Sequence, residues 1–199
     1  MKKEQTEQDI YKGIAQKIEG KYSEDNESIT ALKGNTCQRS VIKTVYKNWN
    51  IYFLATYKGG SSGGSVLYSG VYVPVNFYNR INCKINEKDI LDKLNFLSSS
   101  VVKTGDRSFD KNFYINSNEK EIIGSLLSHE PVKEIIRNHI KAPMQFEIKE
   151  NHFFKNIPEK DVLCFQTNIW IIDEELILKL HEAIKVILER VFSNGLIRK

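Results

Sequence analysis

The chain has 199 residues, a net charge of +4 from 29 basic and 25 acidic side chains, 41% hydrophobic residues and three cysteines. That length fits one domain, which can bury enough surface to fold without a metal or disulfide, and the composition excludes disordered and fibrous classes. Cys37, Cys83 and Cys164 are odd in number and no two share a two-residue spacing, so they read as reduced thiols and not as a disulfide framework or zinc knuckle.

The N-terminus, Met-Lys-Lys-Glu-Gln-Thr-Glu-Gln-Asp, has no apolar run behind its basic start, so no export signal is expected and the location reads as cytoplasmic. The longest uncharged stretch, Gly59 to Asn79, carries five glycines and Pro74, which suits a loop followed by a strand and not a membrane-spanning helix.

In chain order, Ile10, Ile14 and Ile18 recur every four residues and predict a helix over 6–19, with Gly20 as its stop. Residues 21–28 read as a polar connection. Residues 37–47 alternate, with Ile42 and Tyr46 on one face and Arg39, Val41, Lys43, Val45 and Lys47 on the other. A turn at Asn48-Trp49-Asn50 then leads to a strand over 51–57. The Gly/Ser loop 59–65 precedes a strand over 66–77, with Val71, Val73 and Val75 on one face and Tyr68 and Tyr72 on the other. Pro74 cannot donate to a ladder and predicts an edge or a bulge there. A short strand over 80–85 and a helix over 87–97 follow.

Gly105 to Asp110 reads as a turn, with Asp106 bonding its amides and Phe109 and Phe113 docking into the core. A strand at Phe113-Tyr114-Ile115 leads to a helix capped by Asn118, with Glu121 as capping-box partner. Pro131 opens a second helical segment. Strands are predicted over 144–148, 151–154 and 162–172. Asp173 then caps a long amphipathic helix, closed by Gly195, whose apolar stripe runs from Leu176 through Leu180, Ile184 and Ile187 to Val191. Strands and helices are grouped and do not alternate. The expected fold is therefore α+β: a mainly antiparallel curved sheet packed against the C-terminal helix. It forms a single domain over 1–199, with 1–28 as a helix and polar connection and 29–199 as the core.

The charge is unevenly distributed. From Ser28 to Asn86 there is no acidic residue, while Lys33, Arg39, Lys43, Lys47, Lys58, Arg80 and Lys84 make the block +7 and leave −3 for the remainder. Strands deplete acidic residues, and edge strands carry lysine against aggregation, which accounts for part of this. The functional reading is a non-catalytic interaction module whose basic sheet surface, built from Arg39, Lys43, Lys47, Lys58 and Arg80, meets an acidic protein or an anionic membrane surface. Nucleic acid is disfavoured because the aromatic signatures of exposed-sheet readers are missing.

No catalytic, metal or cofactor motif is evident. His129, His139, His152 and His181 lack a two-histidine helical spacing with an intervening glutamate, and the Gly/Ser loop lacks a phosphate-cradle ending. The competing readings are an immunity-type inhibitor of a toxin, a small hydrolase using Asp106, Asp110 or His152, and a ligand cavity lined by Phe146, Phe153, Phe165 and Trp170.

The segment Gly105-Asp-x-x-Phe109-Asp-x-x-Phe113, followed by Ser117-Asn118 and the Ile122–Leu127 stripe, resembles a pattern in uncharacterised bacterial domains. In those, an arginine-bearing short strand precedes the segment, as Tyr78-Asn79-Arg80-Ile81 does here, and strands and a closing helix follow. The resemblance covers roughly the last 120 residues. It implies a domain of the kind found beside membrane helices, with no established reaction and no catalytic residue to carry over.

Overall fold

The computed structural model describes residues 6–24, 37–59, 65–89, 100–154 and 156–198, without the side chains of 37, 38, 57–59, 65 and 66. The strands are β1 (Lys21–Glu24), β2 (Cys37–Tyr46), β3 (Trp49–Gly59), β4 (Ser65–Val75), β5 (Cys83–Glu87), β6 (Phe113–Ser117), β7 (Gln145–Glu150) and β8 (Asp161–Thr167). They form one sheet in the order β1-β2-β3-β4-β8-β7-β5-β6, with every neighbouring pair antiparallel. The helices are α1 (Glu7–Lys17), α2 (Arg107–Asn112), α3 (Lys120–Leu127), α4 (Glu130–His139) and α5 (Glu174–Ser193). The α+β class, the antiparallel sheet and the closing helix are as expected from the grouped elements.

Period-2 alternation divides each strand between two faces. Ile42, Phe53, Val71, Leu163, Phe165 and Phe146 belong to one apolar cluster shared with all five helices. In α5, the buried residues Ile177, Leu180, Ile184, Ile187 and Val191 follow helical spacing against that face. Each such side chain contributes roughly 1.5–3 kcal/mol relative to exposure. Asp173 accepts from Leu176 N and Gly195 takes φ 66°, so both ends of this helix form as predicted. On the opposite face, Val41, Leu54, Tyr52, Tyr72, Val162 and Cys164 are covered by Phe153 and Phe154.

Those two phenylalanines come from the β7–β8 connection. Residues 151–154 do not form the expected strand, because Asn151 Oδ1 accepts from Phe153 N and Phe154 N and its Nδ2 donates to Glu159 O at 2.9 Å. An asparagine that satisfies the backbone this way favours a turn over a ladder. The 144–172 region therefore holds two strands, and β8 ends at Thr167.

Other expectations shift for local reasons. Residues 21–24 form the edge strand β1, with Lys21 opposite Lys43 and Ser23 opposite Val41. Glu19, not Gly20, takes the left-handed conformation after α1. Gly20 serves close approach instead, since a β-carbon there would stand 2.7 Å from Thr44 Cγ2 and 2.9 Å from Lys43 O. The β2–β3 turn is Lys47-Asn48, with Tyr46 opposite Trp49 in register, so Trp49 and Asn50 are already strand. β4 is an interior strand, and Pro74 is accommodated because the ladder to β3 stops at Tyr72. β5 begins at Cys83, after Arg80, and runs to Glu87; residues 90–97 of the expected helix lie outside the described residues, as does most of the Gly/Ser loop. Residues 107–112 are helical, with Asp106 as N-cap. The next helix is preceded by Glu119, which makes no side-chain cap bond. Asn118 acts elsewhere: its Oδ1 accepts from Asn82 N at 2.7 Å and its Nδ2 donates to Arg80 O at 2.9 Å.

Candidate functional site

Of the five cations of the expected basic surface, the four whose side chains are described do not converge. Arg39 is only 3% exposed, and its Nε donates to Thr56 Oγ1 at 3.3 Å. Lys43, on the same face of β2, is exposed and lies 5.8 Å from the Tyr52 ring centroid. Lys47 takes a left-handed φ of 53° and turns to the helical side, where it pairs with Glu189 of α5. That hydrogen bond holds the Lys47 ammonium pKa above its ordinary value and the Glu189 carboxyl below its own. The Lys58 side chain lies outside the described residues. Arg80 sits at the far end of β5, in a different setting.

That setting is a cleft of about 740 Å³ at one end of the sheet, where β4 leaves it and the β7–β8 connection begins. Three chain segments meet there. Residues 76–80 run on from β4, and residues 196–198 lie antiparallel to them: Tyr78 N donates to Leu196 O and Arg198 N to Asn76 O, both at 3.0 Å. The third segment starts β8, with Lys160 N donating to Asn76 Oδ1 at 3.0 Å and Phe77 N to Asp161 Oδ2 at 3.1 Å. Phe77 and Ile197, both buried, pin the junction to the core.

The cleft is lined by three cations, Arg80, Lys160 and Arg198, and two carboxylates, Glu150 and Asp161. Arg80 Nη2 donates to Glu150 Oε2 at 2.8 Å, with the arginine side chain 74% exposed. The Arg198 guanidinium lies 5.0 Å from the ring centroid of Tyr78, itself 59% exposed. Neither Lys160 nor Arg198 has an ion-pair partner among the described residues. Burial raises the Asp161 carboxyl pKa, opposed by the hydrogen bond from Phe77 N. His152 stands nearby, Nε2 4.0 Å from Glu150 Oε2, and is exposed.

The other candidate chemistry does not assemble. Asp106 Oδ1 accepts from Ser108 N and Phe109 N, and its Oδ2 meets Arg137 at 2.7 Å and Lys133 at 3.4 Å. The Phe109 N bond, then Lys133 and Arg137, hold its pKa below the usual carboxylate range. Asp110 accepts from Thr104 N and Oγ1 and from Gly105 N, where φ is 82°. Both carboxylates are committed to fixing residues 104–110, as the turn reading expected, with Asp106 also tying them to α4. They lie beside Phe113, which pairs with Glu87, whereas Glu150 and His152 belong to the opposite strand end, beyond Cys83 paired with Ile148. The hydrolase set is thus split across the sheet. Cys164 is buried and its thiol is pushed up to about 12, far from a thiolate nucleophile. Phe146 and Phe165 pack ring to ring at 5.3 Å on the helical face while Phe153 lies on the other, so the four aromatics do not line one cavity.

Among the described side chains, Arg80 is thus the only predicted binding residue that reaches the cleft. Tyr78 entered the sequence reading only as Arg80's neighbour in the short-strand pattern. Lys160 and Arg198 carried no signal, being single cations whose meeting depends on the C-terminal segment returning to residues 76–78. Among the described residues no three His, Cys, Asp or Glu side chains gather as a metal group, and no helix is long and apolar enough to cross a membrane. Compared with protein-family models, curated proteins and solved structures, the chain matches none.

Proposed function

We propose that this chain is a non-catalytic interaction module that takes an acidic protein segment in the strand-end cleft. One observation carries the reading: Arg80, Lys160 and Arg198, remote in sequence, line a single recess with the exposed ring of Tyr78. The exposed Arg80–Glu150 pair is no obstacle, because such pairs are worth only about 0–1 kcal/mol and a ligand carboxylate can replace Glu150. The +4 net charge steers acidic partners toward the protein in a salt-dependent way. A recess favours a protruding peptide over a flat bilayer surface, so of the two expected partners the acidic protein is preferred.

The test is fluorescence anisotropy with a labelled aspartate- and glutamate-rich peptide, alongside co-sedimentation with phosphatidylserine vesicles. Wild-type protein should bind the peptide, with affinity falling as salt rises. The Lys160→Glu, Arg198→Glu double variant should bind at least about tenfold more weakly, a loss of roughly 1.4 kcal/mol. Lys43→Glu, on β2 and outside the cleft lining, should bind as wild type. Equal binding by wild type and the double variant, or binding to vesicles alone, would remove the proposal.

A further inference from the structure

We infer that the group seated in this cleft is a phosphorylated side chain of the partner segment; the inference rests on the reading just given and narrows it. The first argument is the choice of cation. The chain holds 23 lysines and only six arginines, yet two of the six, Arg80 and Arg198, line this same cleft. Two of the other four are occupied structurally: Arg39 is buried against Thr56, and Arg137 ties α4 to Asp106. Where a chain so rich in lysine lines a cleft with two arginines, planar two-point recognition of an oxyanion gives a physical reason.

The second argument is charge. Arg80, Lys160 and Arg198 bring three positive charges against two from Glu150 and Asp161. A partner carboxylate displacing Glu150 from Arg80 exchanges like for like. A phosphate monoester carries about −1.5 to −2 charges at pH 7 and three acceptor oxygens, so it outcompetes a single resident carboxylate and can engage several cations at once. The third argument is preorganisation. The Arg198 guanidinium already lies over Tyr78 at 5.0 Å, which uses its π face and leaves its N–H edge for the ligand.

The experiment uses the full chain and three bead-bound peptide libraries with randomised flanks around a fixed serine, glutamate or phosphoserine. Vesicles containing phosphatidic acid form a fourth arm. Phosphoserine should retain the protein at least about tenfold more tightly than glutamate. Arg80→Lys and Arg198→Lys preserve charge but remove the fork, and should reduce phosphoserine retention severalfold. Equal retention by phosphoserine and glutamate libraries would overturn the phosphate inference and leave the acidic-segment reading standing. Retention by neither library would overturn both. Binding to phosphatidic acid vesicles without phosphoserine binding would overturn the peptide assignment in favour of a lipid headgroup.

Discussion

Gly70 lies mid-sheet in β4, opposite Gln166 of β8. A β-carbon at this position would stand 2.0 Å from Phe165 O and 2.9 Å from Gln166 Cα. A relaxed carbon–oxygen contact needs roughly 3.3 Å, so Gly70→Ala must drive the two backbones apart by about 1.3 Å. Ladder bonds of about 2.9 Å would then open beyond any useful hydrogen-bond distance. Losing two such bonds costs about 1 kcal/mol each, and buried groups left unpaired add about 1–3 kcal/mol, giving roughly 3–5 kcal/mol in all. Against a typical total of about 5–15 kcal/mol, that is a large fraction of stability.

Urea unfolding followed by the fluorescence of Trp49 and Trp170 measures the effect. Gly124→Ala is the control: its β-carbon would meet nothing within 4 Å on α3, and it should stabilise by about 0.5–1 kcal/mol. A Gly70→Ala protein within about 1 kcal/mol of wild type, with unchanged denaturant dependence, would refute the close-approach argument. The same strand pair carries the cleft, since the Asn76–Lys160 and Phe77–Asp161 bonds continue it past the ladder.

Acid should destabilise the fold. His181, 7% exposed with Nε2 2.9 Å from Thr44 Oγ1, has its pKa lowered by burial and then by Lys185, and His139 is lowered by burial and Lys179. The native state then binds fewer protons than the unfolded chain, so stability is complete above 6.5, the ordinary histidine value, and falls as pH drops below it. His181→Gln should reduce that loss, and a wild-type urea midpoint unchanged between pH 7 and about pH 5 would contradict the assignment. Cys83 and Cys164 are buried with thiol pKa values raised by desolvation, so a thiol-labelling reagent should modify them only as urea unfolds the protein. Rapid labelling of either site in native protein, located by peptide mass mapping, would refute this.

What was legible in the chain is what local periodicity encodes. The β4 faces and the β2 faces as far as Tyr46, Pro131 in the first turn of α4, Asp173 as cap and the α5 stripe all follow from spacing and cap chemistry. What was not legible depends on side chains that satisfy distant or competing backbone groups. Asn118 has the side chain of a cap but lies one residue before the N-cap position of α3, and it spans Arg80 and Asn82, a choice set by the approach of another segment. Asn151 turns an apparent strand into a loop, and Lys21-Tyr22-Ser23-Glu24 becomes a strand only because β2 offers it a free edge. The cleft belongs to the same class, since Arg198 reaches it through the backbone bonds from Arg198 N to Asn76 O and from Tyr78 N to Leu196 O.

The charge asymmetry shows most clearly why a linear pattern need not become a surface. The acid-free block from Ser28 to Asn86 is +7 in sequence, but folding brings acidic residues from the remainder onto its cations: Glu189 onto Lys47 and Glu150 onto Arg80. Arg39 leaves the surface altogether. One member of the block, Arg80, instead meets Lys160 and Arg198 from the acidic remainder in the strand-end cleft, beside Glu150 and Asp161. The meeting of these three cations is therefore a product of topology more than of composition. That is why charge reversal at Lys160 and Arg198, residues the linear pattern would not have selected, should weaken acidic-peptide binding more than reversal at Lys43.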